Sequence, residues 1–294
     1  MDPKNVNVLM TDSPFNPKDK RCKMAEIMFE TFKVKSLAVM NTAALSMYST
    51  GRVSGLIVEC GEGISYTVPV FEGYALPHAQ IKMEIAGQDI TEQLIQSLEA
   101  SGISAKDCPH VIRGLKEQMC AVSQNFNYDV QNPDDPLGLE ERSYEMPNGD
   151  IIQVDHRKRF QATEILFNPS VMKGERHGRQ HGEGISQMAF RSIEKCDNDL
   201  KINLYNNIVL AGGSTLMPGF KERFEMELCQ RAEHTAKTDI NIFADLYRKN
   251  AAWIGGSMLA SFSTFRDMTI TKEEYENNQQ EPDKSTAILR KSIN

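Results

Sequence analysis

Two short loops hold the residue types most able to do chemistry. Glu59-Cys60-Gly61-Glu62-Gly63 reads as a tight turn between two strands, Leu56–Glu59 and Ile64–Val70. Its glycines would let backbone N–H groups approach a phosphate closely. Its carboxylates, Glu59 and Glu62, could hold Mg²⁺ through the ion's water shell. The same residues also make an ordinary acidic hairpin turn. The second loop, Gly212-Gly213-Ser214-Thr215, lies between a buried strand at Ile208–Leu210 and a helix opening at Pro218. A loop feeding a helix N-terminus favours anionic ligands, but a plain strand-to-helix connection has the same look. A third candidate, His177 and His181, has the spacing of two ligands on a helix face. The surrounding Gly174, Gly178, Gly182 and Gly184 argue instead for a basic loop.

The elements around these loops alternate between strand and helix. Val6–Met10 and Ser36–Met40 read as strands. Between them, Asn16-Pro17 reads as a helix start with Asn16 as cap and Met24, Ile27, Met28 and Phe32 as a buried stripe. Ala43–Ser49 is a helix stopped by Gly51. After Leu56–Glu59 and Ile64–Val70 comes a strand at Ile81–Ile85, then a helix with Ile90, Leu94, Ile95 and Leu98 on one face. Pro109 opens a further helix carrying Ile112, Leu115 and Met119, with Val122 continuing the repeat. Asn127–Glu141 reads as a surface loop, and Pro147-Asn148-Gly149 as a hairpin turn between Tyr144 and Val154. Further on, helices are read at Ile185–Ile193, from Pro218 through Phe220, Phe224 and Leu228, and at Ala251–Phe262, with a strand at Ile240–Phe243. Thr271 and Glu274 form a capping box for a short helix, and the tail from Asn277 reads as loose. Because strand–turn–strand restarts the topology at Leu56, the pattern predicts an α/β protein with two separate sheets.

Composition narrows the class. The 294 residues are 40% hydrophobic and 25% charged, enough for two domains with cores of their own. A net charge of -7 disfavours nucleic acid and anionic membranes as partners. No stretch approaches the ~20 apolar residues of a membrane span. Six scattered cysteines, with no CxxC pair, read as reduced thiols in a cytosol-like compartment.

The chain resembles the actin family over nearly its whole length. The runs that carry the resemblance are MFETF (Met28–Phe32), TVPVFEGYALPHA (Thr67–Ala79), AGQDIT (Ala86–Thr91), LKEQMC (Leu115–Cys120), VLAGGSTLMPG (Val209–Gly219), WIGGSMLASFSTF (Trp253–Phe265) and KEEY (Lys272–Tyr275). The resemblance implies the two-lobed, ribonuclease H-like actin fold, with a nucleotide in the cleft. It also implies that residues 1–53 are a remnant of the first lobe, so that this lobe is incomplete. Residues 54–244 would form a complete second lobe with a helical and hairpin insertion at about 103–160. Residues 245–276 would return to the first lobe, and 277–294 would be a loose tail.

For ATP or ADP with Mg²⁺, the implied contacts are Glu59, Gly61, Glu62, Gly63, Gly87, Lys116, Glu117, Gly212, Gly213, Ser214, Leu216 and Lys249. Glu59 would be a weak metal contact through water. Departures fall on the hydrolysis positions. The family's two aspartates read as Glu59 and Glu62, its water-positioning glutamine as Thr42, and the histidine after the loop as Tyr66. A tyrosine on the adenosine side reads as Met217. The implied cleft for actin-binding proteins comprises Tyr48, Gly51, Met258, Leu259, Phe262 and Thr264, and the implied hydrophobic plug falls at Val171–Gly184, here charged. The resulting expectation is a divergent, cytoplasmic cytoskeletal subunit with weak or no ATP hydrolysis, partnered by actin, actin-related subunits or actin-binding proteins. The alternatives are an active, polymerising ATPase and a truncated gene product.

Overall fold

The computed structural model describes residues 2–132, 142–146, 149, 151–172, 182–232 and 239–278. The histidine pair, most of the plug segment, Pro133, Pro136, Pro147, Asn148 and the tail from residue 279 lie outside them. The chain runs through β1 (Asn7–Asp12), α1 (Lys18–Glu26), β2 (Ser36–Asn41), α2 (Thr42–Tyr48), β3 (Gly55–Cys60), β4 (Ser65–Phe71), β5 (Tyr74–Ala75), β6 (Ile81–Met83), α3 (Gly87–Glu99) and α4 (Pro109–Met119). It continues with α5 (Phe126–Gln131), β7 (Arg142–Glu145), β8 (Ile151–Val154), α6 (His156–Gln161), α7 (Ile185–Glu194), α8 (Asn198–Asn206), β9 (Ile208–Ala211) and α9 (Phe220–Ala232). The last elements are β10 (Ile242–Phe243), α10 (Ala251–Ala260), β11 (Ile270–Thr271) and α11 (Lys272–Asn278).

Two main sheets form, as the pattern predicts. The larger has the order β10-β9-β3-β4-β5, with β6 also paired to β4. Side chains alternate along β3 because the strand period is two. Leu56, Val58 and Cys60 face a core built with α3, α4, α7 and α9, while Ile57 faces α2 together with Val68, Val70 and Val209. The smaller sheet has the order β1-β2-β11, β1 parallel and β11 antiparallel to β2. One of its faces carries Leu37, Val39 and Ile270 against Ala25 and Phe29. The other carries Ala38 and Met40 against Leu45, Leu259 and Phe265. Helix α2 thus sits between the sheets, with Ala43 and Met47 in one core and Leu45 in the other.

Several local expectations are corrected. Asn16 does not cap α1: Pro17 occupies that position without a side-chain bond, and Asn16 Nδ2 donates to Asp12 Oδ1 at 2.6 Å. A carboxylate within reach outcompetes the helix end for the amide. The predicted stripe is also displaced. Ala25 and Phe29 are buried, Met24 and Met28 pack beside them, and Ile27 and Phe32 are exposed. A π-helical turn at Ile27–Thr31 rotates the face by adding a residue to the turn. Residues 127–131 lie in α5, begun by Asn125, whose side chain accepts from the Tyr128 amide, and so are not loop. Val122 lies beyond α4, its amide donating to the Pro218 carbonyl at 2.8 Å. The Thr271–Glu274 capping box is present with both reciprocal bonds, at 2.9 and 3.2 Å.

The ends of the described chain close on each other. Tyr275 of α11 stacks on Phe29 with ring centroids 4.6 Å apart. Helix α10 lies so close to α2 that a Cβ on Gly255 would stand 1.8 Å from the Leu45 carbonyl oxygen and 3.0 Å from the Ser49 nitrogen. A Cβ on Gly256 would meet only side-chain tips, Leu9 at 3.3 Å and Leu45 at 3.7 Å. Gly255→Ala should therefore lower the unfolding free energy by about 3 kcal/mol or more, against about 1 kcal/mol or less for Gly256→Ala. Urea unfolding of the two variants checks this; equal losses would show that the helices can separate without cost.

Candidate functional site

The two glycine loops meet because β3 and β9 are parallel neighbours, with Glu59 opposite Ala211. Both loops therefore leave the carboxyl ends of adjacent strands, the usual ligand position in α/β sheets. Their contact depends on Gly212, which holds φ at +85°. A Cβ there would lie 2.3 Å from the Cys60 carbonyl oxygen. Ser214 Oγ donates to the Gly61 carbonyl at 3.0 Å. The first turns of α3 dock on the same loop, Gly87 N–H donating to Gly61 O and Gln88 N–H to Glu62 O, at 3.0 and 2.8 Å.

A cavity of about 300 Å³ opens over this junction. It is lined by Glu59, Gly61, Glu62, Lys116, Glu117, Gly212, Gly213, Ser214, Leu216 and Lys249, together with Met217 and Arg113. The volume is at the small end of ligand pockets. Of the sequence-derived contacts, Gly63 and Gly87 do not line it. Gly63 sits in the turn facing open space, and Gly87 lies behind Glu62 and Ser214. Arg113 was not anticipated. The signal was available, since it stands four residues before Glu117 on α4 and is paired to it at 3.5 Å.

The cavity wall is a mesh of opposite charges. Lys116 is buried, and its Nζ donates to the Gly87 carbonyl at 2.7 Å and reaches Glu62 at 3.4 Å. Arg113 lies 3.6 Å from Glu62, and Lys249 lies 3.4 Å from Glu117. Glu59 takes no part in this mesh. Its Oε2 accepts from the Tyr66 hydroxyl at 2.6 Å, and the Tyr66 oxygen is 2.9 Å from Thr42 Oγ1. Three of the four positions that the resemblance assigns to hydrolysis are thus linked in one hydrogen-bond chain through Tyr66. Burial pushes the Glu59 carboxyl above its usual 4.5, the Tyr66 hydrogen bond opposing this. Burial and then the Glu59 charge push the Tyr66 phenol well above its usual 10. Burial also pushes the Cys60 thiol up to about 12, which removes it as a nucleophile.

The sequence model of the family described as Actin matches residues 1–282. The chain belongs to the actin family. For an actin-type site, the donors suit phosphate and sugar oxygens: Lys116, Arg113 and Lys249 line a cavity that Gly213 leaves open at backbone level. They do not suit a resident Mg²⁺. Glu59 is held by a phenol and shifted towards its neutral form, and Glu62 faces two cations. Among the described residues no group of three or more His, Cys, Asp or Glu side chains could hold a metal.

The second candidate surface lies at the other end of α2. Phe262 and Met258 are exposed, Tyr48 is half-buried over Gly73, and Gly51 lies in the turn after the helix at φ +70°. Thr264 is exposed nearby, whereas Leu259 is buried in the core with Leu45 and Met40.

Glu59 makes stability depend on pH with a definite sign. Its folded value lies above the unfolded one, so the folded state keeps the proton longer. The associated stability is fully present below about 4.5 and is lost as pH rises through the folded value. Tyr66→Phe removes a bond that favours the charged form. It should cost about 1–3 kcal/mol and carry the loss to higher pH. Glu59→Gln should remove this component. Urea unfolding from about pH 4 to 8 tests it, and parallel curves for wild type and Glu59→Gln would refute it.

Proposed function

We propose that this actin-family chain is a structural or binding subunit that hydrolyses ATP weakly or not at all. The observation that carries this reading is the Thr42–Tyr66–Glu59 chain of hydrogen bonds. Phosphoryl transfer needs a group to orient the attacking water and charge stabilisation around the transferred phosphoryl. The short Thr42 hydroxyl is engaged by Tyr66, and Glu59 points its carboxylate at the phenol. Arg113, Lys116, Lys249, Gly213 and Ser214 remain a cationic, glycine-lined cradle for loose ATP or ADP binding. The phosphates must compete with Glu62 and Glu117 for those cations, which sets the affinity in the micromolar-to-millimolar range. The same reading places the chain at the cytoplasmic cytoskeleton, bound to actin, actin-related subunits or actin-binding proteins through the surface around Tyr48, Gly51, Met258 and Phe262. No helix among the described residues is long and apolar enough to cross a membrane.

Purified protein with Mg-ATP should release phosphate at the rate of a Glu59→Ala control. A steady rate clearly above that control would replace this reading with an active ATPase.

The segment matching the family's plug carries Lys173, Arg176, His177, Arg179 and His181, charges that are costly to desolvate unless paired. The protein alone should therefore not form two-stranded filaments, but should co-sediment with added actin. Sedimentation and negative-stain microscopy with Mg-ATP and salt decide the point, and regular filaments of the protein alone would overturn it.

A further inference from the structure

Arg248 is not one of the residues lining the cavity, yet it holds the second glycine loop. It opens a short 3-10 turn, Arg248–Asn250, between β10 and α10. Its side chain crosses to the turn Gly213–Leu216, which follows β9, the parallel neighbour of β10. An arginine guanidinium is a planar fork of N–H donors. One edge of this fork grips a single residue: Nε donates to Thr215 Oγ1 at 2.9 Å and Nη2 to the Thr215 carbonyl at 2.8 Å. Nη1 turns back and donates to the Ala244 and Asp245 carbonyls, at 3.2 and 2.7 Å. Four hydrogen bonds from one side chain thus join the loop after β9 to the loop after β10.

The bonds continue to Gly212. Thr215 is buried, and its hydroxyl, which accepts from Arg248, donates to the Gly212 carbonyl at 2.8 Å. The Gly212 N–H in turn donates to the Arg248 carbonyl at 3.1 Å. Side chain and main chain of Arg248 therefore close a ring on Gly212. That residue needs holding. Its φ of +85° and ψ of +150° fall in a region essentially restricted to glycine. Such backbone persists only where its surroundings over-determine it. The close contact with the Cys60 carbonyl is one constraint, and the Arg248 ring is a second.

The same turn places a cation of the cavity wall. The next residue, Lys249, lays its stem along Gly213, with Cγ, Cδ and Cε 3.6, 3.7 and 3.8 Å from where a Cβ would stand. Its Nζ reaches Glu117 of α4 at 3.4 Å. Gly212, Gly213, Ser214, Leu216 and Lys249 all line the cavity. We infer that Arg248 is a positioning residue of this cavity, fixing the Gly212–Leu216 loop and Lys249 in the arrangement that receives a nucleotide. The inference rests on the reading of the cavity as a loose ATP or ADP site. It also separates arginine from lysine at this position. A lysine keeps the charge, but its donors sit at one point and cannot span Thr215 and the Ala244–Asp245 carbonyls together.

Fluorescence titration of the full chain with methylanthraniloyl-ADP, together with hydrogen exchange of the free protein, tests this. Arg248→Gln and Arg248→Lys should each weaken binding roughly tenfold or more, as expected for losing hydrogen bonds from a charged group. Arg231→Gln removes a guanidinium bonded to Gln187 and Glu227, none of which line the cavity, and should change affinity by about twofold or less. Thr215→Val should also weaken binding, and the Arg248→Gln, Thr215→Val double variant should lose less than the sum of the single losses, because the arginine acts through that residue. In both Arg248 variants the amides of residues 209–217 should exchange about tenfold faster or more, while those of α3 keep their wild-type rates. If Arg248→Gln does not fold, Arg248→Lys carries the test. Unchanged exchange at 209–217, equal acceleration in α3, additive losses, or wild-type affinity in the Arg248 variants would overturn the inference. Wild-type protein that binds no methylanthraniloyl-ADP at millimolar concentration would instead remove the nucleotide reading, and the exchange rates alone would then decide whether Arg248 holds the loop.

Discussion

The parallel pairing of β3 with β9 is the constraint on which the candidate site depends. The paired segments, Leu56–Glu59 and Ile208–Ala211, lie about 150 residues apart, a long loop to close before any contact rewards it. Once paired, their carboxyl ends carry both glycine loops to one place. The contact then tolerates no side chain at Gly212, because a Cβ would run into the Cys60 carbonyl. Neither loop means much alone. Side by side they form a floor from which α3 and α4 project Lys116, Arg113 and Glu117.

Charge compensation decides what that floor can hold. Three cations, Arg113, Lys116 and Lys249, face Glu62 and Glu117 through ion pairs of 3.4 to 3.6 Å. Most of these groups are half-exposed, and such pairs contribute about 0–1 kcal/mol each. They can be exchanged for an incoming polyanion at little cost. Lys116 is different, being buried and anchored to the Gly87 carbonyl. It is held in place between that carbonyl and the Glu62 carboxylate. Glu59 is fixed in the opposite sense, turned to Tyr66 and away from the cationic mesh. The site is therefore fixed at Lys116 and Glu59 and adaptable elsewhere.

Much of the architecture was legible because periodicity reports burial directly. The faces of α3 and α4, the apolar runs of β3 and β4, and the Thr271–Glu274 box are local patterns, and they survive folding. The failures are cases where a distant or competing partner changed a local preference. Asn16 found Asp12 in place of the helix end. The turn at Ile27–Thr31 took an extra residue and moved the apolar stripe. Residues 127–131 read as part of a polar loop, yet the Asn125 side chain caps a helix there. The Thr42–Tyr66–Glu59 chain was half legible. If the hairpin closes at Cys60 and Ser65, then Glu59 and Tyr66 are cross-strand partners, as found. Thr42 enters only through the packing of α2 on the sheet, which no single-sequence pattern shows.

Helix α2 joins these features physically. Its first residue, Thr42, ends the hydrogen-bond chain from Glu59, and its last, Tyr48, is half-buried at the end that carries the apolar surface. Seven residues of α-helix span only about 10 Å. Along that length Ala43 and Met47 are packed into the larger sheet's core and Leu45 into the smaller one's. Gly255 brings the α10 backbone against the Leu45 carbonyl on the same helix. Close-packed interiors transmit displacement and do not absorb it, so α2 cannot shift at one end without disturbing both cores and α10. The hydroxyl of Thr42 and the apolar surface at Tyr48 are two ends of one braced element. That arrangement couples the Thr42–Tyr66–Glu59 chain beside the glycine loops to the shape of the apolar surface at the far end of α2.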